Sequence, residues 1–265
     1  LQNKSTTVIG ILRRVLFYII LIAIWELTYK VFVDVLGVWK SYTFPSPGEV
    51  INVFVYLIND NTLFIAIGTS IIRLIIGYLI ALFIGIILAL ICIKYKYIDE
   101  NLTPLMLGLQ TLPSVCWIPF AILWYGIDER SIIFVTVVGS VFSIAIATIS
   151  GVKNINPIYA KAARTMGAKG KILYFNVIIP SALPEIISGM RQGWSFAWRA
   201  LMAGEMLSAT KGLGQVLMAG RELGDISQVM AVMIVIIVFG LVFDKLLFAK
   251  LERNIRYRCG LEKKN

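Results

Sequence analysis

The sequence predicts an all-α, polytopic membrane protein with about six transmembrane helices, and three observations predict it. Hydrophobic residues fill 58% of the 265 positions. Charged residues fill only 15%, where a soluble domain carries about a quarter. The apolar residues also run in stretches that can cross a bilayer, which takes roughly 20 residues per helix. Such a chain could not solvate its surface as an ordinary cytosolic enzyme, and it is too apolar to stay disordered.

Hydropathy places the first span at residues 15–33. Arg13 and Arg14 precede it as in a leader peptide, but no small-x-small cleavage site follows and Glu26 interrupts the run, so it reads as a genuine crossing. The second span covers residues 63–93 and the third 102–125. Pro113 and Pro119 break the third, because a proline in a span removes a backbone hydrogen bond that neighbours must restore. With Trp117 beside them they read equally as a hinge or gate and as a static kink. Trp124 and Tyr125 also suit an interfacial aromatic belt. The fourth span covers 132–152, the fifth 186–207 and the sixth 226–247.

Small residues recur every four positions in three of these spans: Gly77, Ala81, Gly85 and Ala89; Gly139, Ser143, Ala147 and Gly151; Gly189, Gly193 and Ala197. Such stripes let helix backbones approach closely where lipid offers no hydrophobic drive for association. Close packing is the expectation here, ahead of a solute path lined by small side chains.

Sidedness follows from the basic residues. The net charge is 25 − 15 = +10. The N-terminus (Lys4, Arg13, Arg14), the segment from Lys153 to Lys171 and the C-terminal tail are basic, while the intervening loops carry Asp34, Glu49, Asp60, Asp128 and Glu129. Six spans put every basic segment on one side, which the positive-inside rule makes cytoplasmic, with both termini there. Bilayer flanks account for these charges, so no nucleic-acid partner is expected.

Absences narrow the chemistry. There is no histidine, so imidazole catalysis and His–metal sites are excluded. Cys92, Cys116 and Cys259 are isolated and read as reduced, structural thiols. Gly167-Ala168-Lys169-Gly170-Lys171-Ile172 lacks P-loop spacing, and Gly212-Leu213-Gly214 is followed by Leu217 where a dinucleotide fingerprint needs glycine. No metal or cofactor is expected on this chain. A membrane-embedded enzyme would have little chemistry available, and an ion-coupled secondary transporter would need repeats and midplane acids that the sequence does not offer.

The loop between the fourth and fifth spans, about residues 153–180, is the most informative stretch. Asn156 suits a helix N-cap and Pro157 the first helical position. Ile158 to Met166 then reads as a short helix stopped by Gly167. Ala160, Ala162 and Ala163 make it thin, and Ile158, Ala162 and Met166 form an apolar stripe. An isolated helix of about ten residues is marginal in water. It must pack on its own bundle or on another protein.

Lys161-Ala162-Ala163, then Gly167 three residues on, then Val177-x-Ile179-Pro180 after nine more, resembles the Glu-Ala-Ala loop of ABC importer permeases. The spacing matches throughout; Val177 and Ile179 stand for Ile and Leu, and Lys161 replaces the glutamate, so the resemblance implies docking by shape and apolar contact more than by charge. Phe44 to Pro47, Pro113 to Gly126, Ser150 to Val152, Pro180 to Pro184, Ala203 to Leu207 and Gly212 to Gly214 extend the resemblance to the nitrate, sulfonate, taurine and bicarbonate subgroup of type I importers. That resemblance implies a single permease domain over residues 1–265 of the MetI-like fold, in a prokaryotic plasma or inner membrane. It implies a loop helix (Ile158, Lys161, Ala162, Ala163, Arg164, Met166, Gly167) gripped by an ATP-binding subunit, present in two copies that carry ATP and Mg. It implies a second permease copy, a homodimer in this reading, and an extracytoplasmic solute-binding protein. The solute it implies is a small anion such as an aliphatic sulfonate, taurine or nitrate; thiamine or pyrimidine precursors and riboflavin are the alternative.

Ionisable groups within spans are costly and default to functional candidates. Arg73 falls near the outer end of the second span, where it could snorkel to the interface, and a structural role is expected for it ahead of a functional one. Glu185, just after Pro184, complements a helix N-terminus. In the fifth span Arg191, Ser195 and Arg199 share one face, with Trp194 and Trp198 alongside. This face, with Glu205 beyond it as a further pathway candidate, reads either as an anion path or as an internal salt bridge from Arg199 to a carboxylate such as Glu205 or Glu26.

Overall fold

The computed structural model describes residues 2–40 and 42–258, all of whose regular elements are helical. Among the described residues five helices are long and apolar enough to cross a membrane, or six if one bent pair counts as a single span. Cys259 and the basic positions beyond it lie outside the described residues. The chain divides into two compact units, one formed by residues 1–64 and 216–235, the other by 65–215 and 236–265.

In the first unit, α1 (Gln2–Tyr29) continues through a π-helical stretch, Lys30–Val35. The span it carries runs Leu12–Val35. Glu26 interrupts it at little cost, since Lys30 one turn on lies 3.2 Å from its carboxylate. Trp25 Nε1 donates to the Pro45 carbonyl at 3.1 Å. α2 (Pro47–Asn59) was not expected from hydropathy. Its start is a capping box, in which Ser46 Oγ accepts from the Glu49 N–H (3.2 Å) and the Ser46 N–H donates to Glu49 Oε2 (2.9 Å). Ser46-Pro47-x-Glu49 was therefore the legible signal. Near Val216 and Gln228 the unit is tied by the Gln228 amide, which donates to the Val216 carbonyl at 2.8 Å.

The second unit is built around α6 (Glu129–Lys153), whose inward residues include Ile132, Val135, Thr136, Ser140, Ile144 and Ile149. α9 (Ile179–Met206) packs along it. The glycine stripes are the reason. A Cβ on Gly189 would sit 2.0 Å from Ala147 Cβ, one on Gly193 2.5 Å from Ile144 Cγ1, and one on Gly139 2.6 Å from Ala200 Cβ. On its other side α6 receives α3 (Thr62–Lys94), with Gly77 against Thr136 and Gly85 against Val141 and Ile144. The stripes serve helix packing, as expected.

The third crossing departs from expectation. It is not one helix over 102–125 but two arms, α4 (Lys96–Thr111) and, after a 3-10 turn at Ser114–Trp117, α5 (Ile118–Tyr125), bent by 100°. Pro113 stands at the elbow in extended backbone and Trp117 ends the turn. Pro119 sits in the first turn of α5, where its missing N–H costs nothing. The two prolines thus frame one bend instead of breaking a helix twice. α4 is held to α6 through Ala89, Cys92, Met106, Ala145 and Ile149, and by an ion pair between Lys153 and Asp99.

The fifth crossing begins far earlier than residue 186. α8 (Gly170–Leu173), a π turn (Tyr174–Ile178) and α9 form one helical run of 37 residues, Gly170–Met206. Pro180 lacks an N–H and crowds the carbonyl four residues back, and the widened turn lies just there. The sixth also runs on, from α11 (Ile226–Phe243) through a second π segment, Asp244–Ala249, into α12 (Lys250–Arg258). Two short helices, α7 (Pro157–Thr165) and α10 (Leu213–Glu222), complete the chain.

Candidate functional site

The sequence-predicted residues fall into four places. The first is α7. Asn156 Oδ1 accepts from the Ile158 N–H at 3.0 Å and Pro157 opens the helix. At the other end Gly167 has φ +91°, and two bonds close the turn: Gly167 N–H to the Arg164 carbonyl at 3.0 Å and Ala168 N–H to the Ala163 carbonyl at 2.9 Å. This 6→1, 5→2 pair is a Schellman motif, which requires the left-handed conformation that glycine adopts freely. No residue of α7 is buried. Ile158 is 63% and Met166 88% exposed, with Lys161, Ala162 and Arg164 also exposed and Ala163 half-covered.

The second place is a cleft of about 780 Å³ between α9 and the α11 end of the second unit. Arg191, Ser195, Trp198 and Arg199 line it together with Trp194, Ile237, Gly240 and Asp244, so the predicted face is brought together. Its two arginines differ. Arg191 is clamped: Nε and Nη2 donate to the two Asp244 oxygens at 2.6 Å each, and Nη1 to Glu252 Oε2 at 3.0 Å. Fork-to-carboxylate pairing of this kind is the strong, geometrically specific form of the contact. Arg199 is in no ion pair among the described residues. Its guanidinium lies 4.6 Å from the Phe196 ring centroid, and its Nε donates to the Ser195 carbonyl at 3.2 Å. The bridge from Arg199 to Glu205, one of the two readings of this face, does not form, because Glu205 is engaged by Arg73. Buried Trp198 and Trp194 back the cleft, and Trp194 packs edge-on against Tyr78 at 5.1 Å.

The third place corrects the expectation for Glu205. Glu205 does not line the cleft; it is fully buried. It accepts from Ser70 Oγ (2.7 Å to the nearer oxygen), from Arg73 Nη1 (3.1 Å) and from the Gly214 N–H (3.0 Å). Arg73 does not snorkel either. It is 3% exposed and also reaches the Lys211 carbonyl at 3.0 Å and Glu129 at 2.7 Å. Gly212 and Gly214 are glycine because a Cβ on them would stand 2.5 Å from Glu205 Cδ and 2.7 Å from Glu205 Cβ. Opposite charges at residues 73 and 205, each too deep to be cheap, were the available signal; likewise Asp244, an acid inside the sixth span, for Arg191.

Pro113, Trp117 and Pro119 belong to the elbow. Pro119, Val115, Ile118, Ile122, Leu123 and Leu207 surround an apolar recess of about 470 Å³ there, and Trp117 leans on Phe120.

Apolar spans, a re-entrant-like elbow and an exposed, doubly capped helix between two closely packed spans define a polytopic α-helical membrane protein. Residues 81–257 match the family described as "Binding-protein-dependent transport system inner membrane component", and the chain belongs to that family. It is 37% identical over 187 residues to a putative ABC transporter permease of Methanocaldococcus jannaschii, covering 70% of this chain and 68% of that one. It is 28% identical over 253 residues to the putative aliphatic sulfonates transport permease SsuC of Bacillus subtilis, covering 96% and 90%. A chain from the crystal structure of an amino acid ABC transporter with histidines superposes with a TM-score of 0.64 at 16% identity, covering 76% of this chain and 98% of that one. The last likeness shows the fold, that of a type I ABC importer permease. The protein is thus a multi-pass inner-membrane permease component of a binding-protein-dependent ABC importer, a class that works with an ATPase and a solute-binding protein.

Proposed function

We propose that this chain, as one permease domain over residues 1–265, forms half of a translocation pathway for a small anion of the aliphatic sulfonate, taurine or nitrate type. Two copies face one another, two ATP-binding subunits carry ATP and Mg, and this chain binds no cofactor itself. An extracytoplasmic binding protein delivers the solute, and the termini and α7 lie in the cytoplasm.

The observation that carries this reading is α7 itself: a short helix with both ends capped and no buried residue, on the connection between the two helices that pack most closely. Alone in water such a helix is marginal, so its exposed apolar ridge calls for a partner. Because α6 and α9 interlock through glycine contacts, force applied at α7 moves the pair as one body. Nucleotide-driven closure of the ATPases would then rock both pairs. The cleft beside α9 opens on the flank of the unit, where a second copy would enclose it. Arg199, in no ion pair among the described residues, suits an anion in passage, and the sulfonate permease of B. subtilis supports that class.

Proteoliposomes holding the permease with its ATP-binding subunit and binding protein test it. Uptake of a labelled alkanesulfonate, taurine or nitrate should require ATP and the binding protein and ignore a collapsed proton gradient. Uptake that persists without ATP and vanishes with the gradient would replace the importer with a secondary transporter.

A further inference from the structure

α7 has two unlike edges. At 100° per residue, the half-covered Ala160 and Ala163 mark the side turned to the chain, and Ile158, Ala162 and Thr165 form the opposite ridge. Lys161 and Arg164 flank that ridge on one side, Tyr159 and Met166 on the other. One edge is basic, the other apolar.

Among the described residues the basic edge has no counter-charge. Among the described residues, Lys161, Arg164, Lys169 and Lys171 take part in no ion pair, whereas Lys153 is matched by Asp99. No acidic residue lies between Lys153 and Lys171. Seating Ile158 and Met166 in a groove necessarily strips water from the neighbouring Lys161 and Arg164. Desolvating two cations is costly unless the groove supplies carboxylates.

Position along the bundle decides against a lipid surface. Gly151 packs beside Glu185, so α6 ends at about that level, while α7 packs against the Gly170–Ile178 stretch, several residues further out. The 37-residue run Gly170–Met206 measures about 55 Å, against about 40–45 Å for a bilayer with its headgroups. With Met206 near the far interface, α7 stands clear of the lipid.

We propose that α7 docks in a groove of the ATP-binding subunit having one apolar wall and one acidic wall, the acidic wall facing Lys161 and Arg164. This rests on the importer reading and adds the sign of the contact to it. It predicts that docking is steered by charge, with Lys161 as an attractive contact in its own right.

The test uses full-length permease in nanodiscs of zwitterionic lipid and its full-length ATP-binding subunit, with binding measured at 50 and 500 mM NaCl. The wild type should weaken about tenfold or more with salt. Lys161→Gln/Arg164→Gln should bind about tenfold less tightly at low salt and lose most of that dependence. Lys161→Glu/Arg164→Glu should abolish binding, and an Asp or Glu changed to Lys in the partner's groove should restore it. Monodisperse elution of each variant controls for folding. Wild-type binding indifferent to salt, full affinity of the charge-reversed variant, or charge effects seen only when anionic lipid is present would each overturn the proposal while leaving the importer reading in place. A wild-type chain that captures no ATP-binding subunit at either salt would instead remove the importer reading, and this inference with it.

Discussion

Arg73 and Glu205, 132 positions apart, form a buried ion pair, Nη1 to Oε1 at 3.1 Å, with side-chain exposures of 4% and 0%. The pair does more than neutralise itself. Through Ser70, Gly214 and the Lys211 carbonyl it fastens the segment after α9 to α3, and through Glu129 it reaches the start of α6.

Removing one partner leaves a stranded charge. Glu205→Ala should cost about 3–5 kcal/mol of stability, read as a lowered melting temperature in detergent. Glu205→Gln should cost less, because an amide can still accept from Ser70 and from the Gly214 N–H. Arg73→Met/Glu205→Leu should recover part of the loss, since it removes the stranded charge and leaves only the neutral Ser70, Gly214 and Lys211 groups and the half-exposed Glu129 without their partners. Equal melting temperatures for Glu205→Ala and wild type would show that the pair does not hold these helices.

The α6–α9 seam gives a cleaner size test. Gly189→Ala places its methyl 2.0 Å from Ala147 Cβ, and overpacking of this kind costs about 1–3 kcal/mol. Ala147→Gly alone opens a small void. Combined, the two swap the methyl from one helix to the other, so the double variant should melt closer to wild type than Gly189→Ala does. Additive losses in the cycle would mean the two positions do not meet.

Gly167 separates coupling from folding. Nothing lies within 4 Å of a Cβ built there, yet φ is +91°. Gly167→Asp therefore strains only the end of α7. Its melting temperature should stay within about 2 °C of wild type, a shift of about 0.5–1 kcal/mol at most, while ATP-dependent uptake falls about tenfold or more. Normal uptake by a correctly inserted variant would remove α7 from the coupling path.

The two cleft arginines should respond differently. Arg199→Ala removes an exposed, unpaired cation and should leave the melting temperature in place while uptake of an anionic solute drops about tenfold. Arg191→Gln breaks the clamp on Asp244 and Glu252 and should lower the melting temperature itself. Unchanged transport by Arg199→Ala would exclude it from the solute path.

Much was legible in one dimension because its cause is local. The apolar runs declare spans by length alone, the four-residue spacing of small side chains declares a packing stripe, and Asn156-Pro157 with Gly167 declares where α7 starts and stops. Each depends on residues within a turn or two of each other. What the tertiary structure alone decided is pairing across distance. Hydropathy shows that Arg73, Glu205, Arg191 and Asp244 are expensive in a membrane, but not how each helix is rotated, and rotation determines which charge meets which. Hence Glu205 turned to Arg73 instead of Arg199, Arg191 was taken by Asp244 and Glu252, and Arg199 was left without an ion pair among the described residues. The elbow at Pro113 has the same origin: a proline permits a bend, and only the packing of Ile118 and Ala121 against Val135 and Ala200 sets it at 100°.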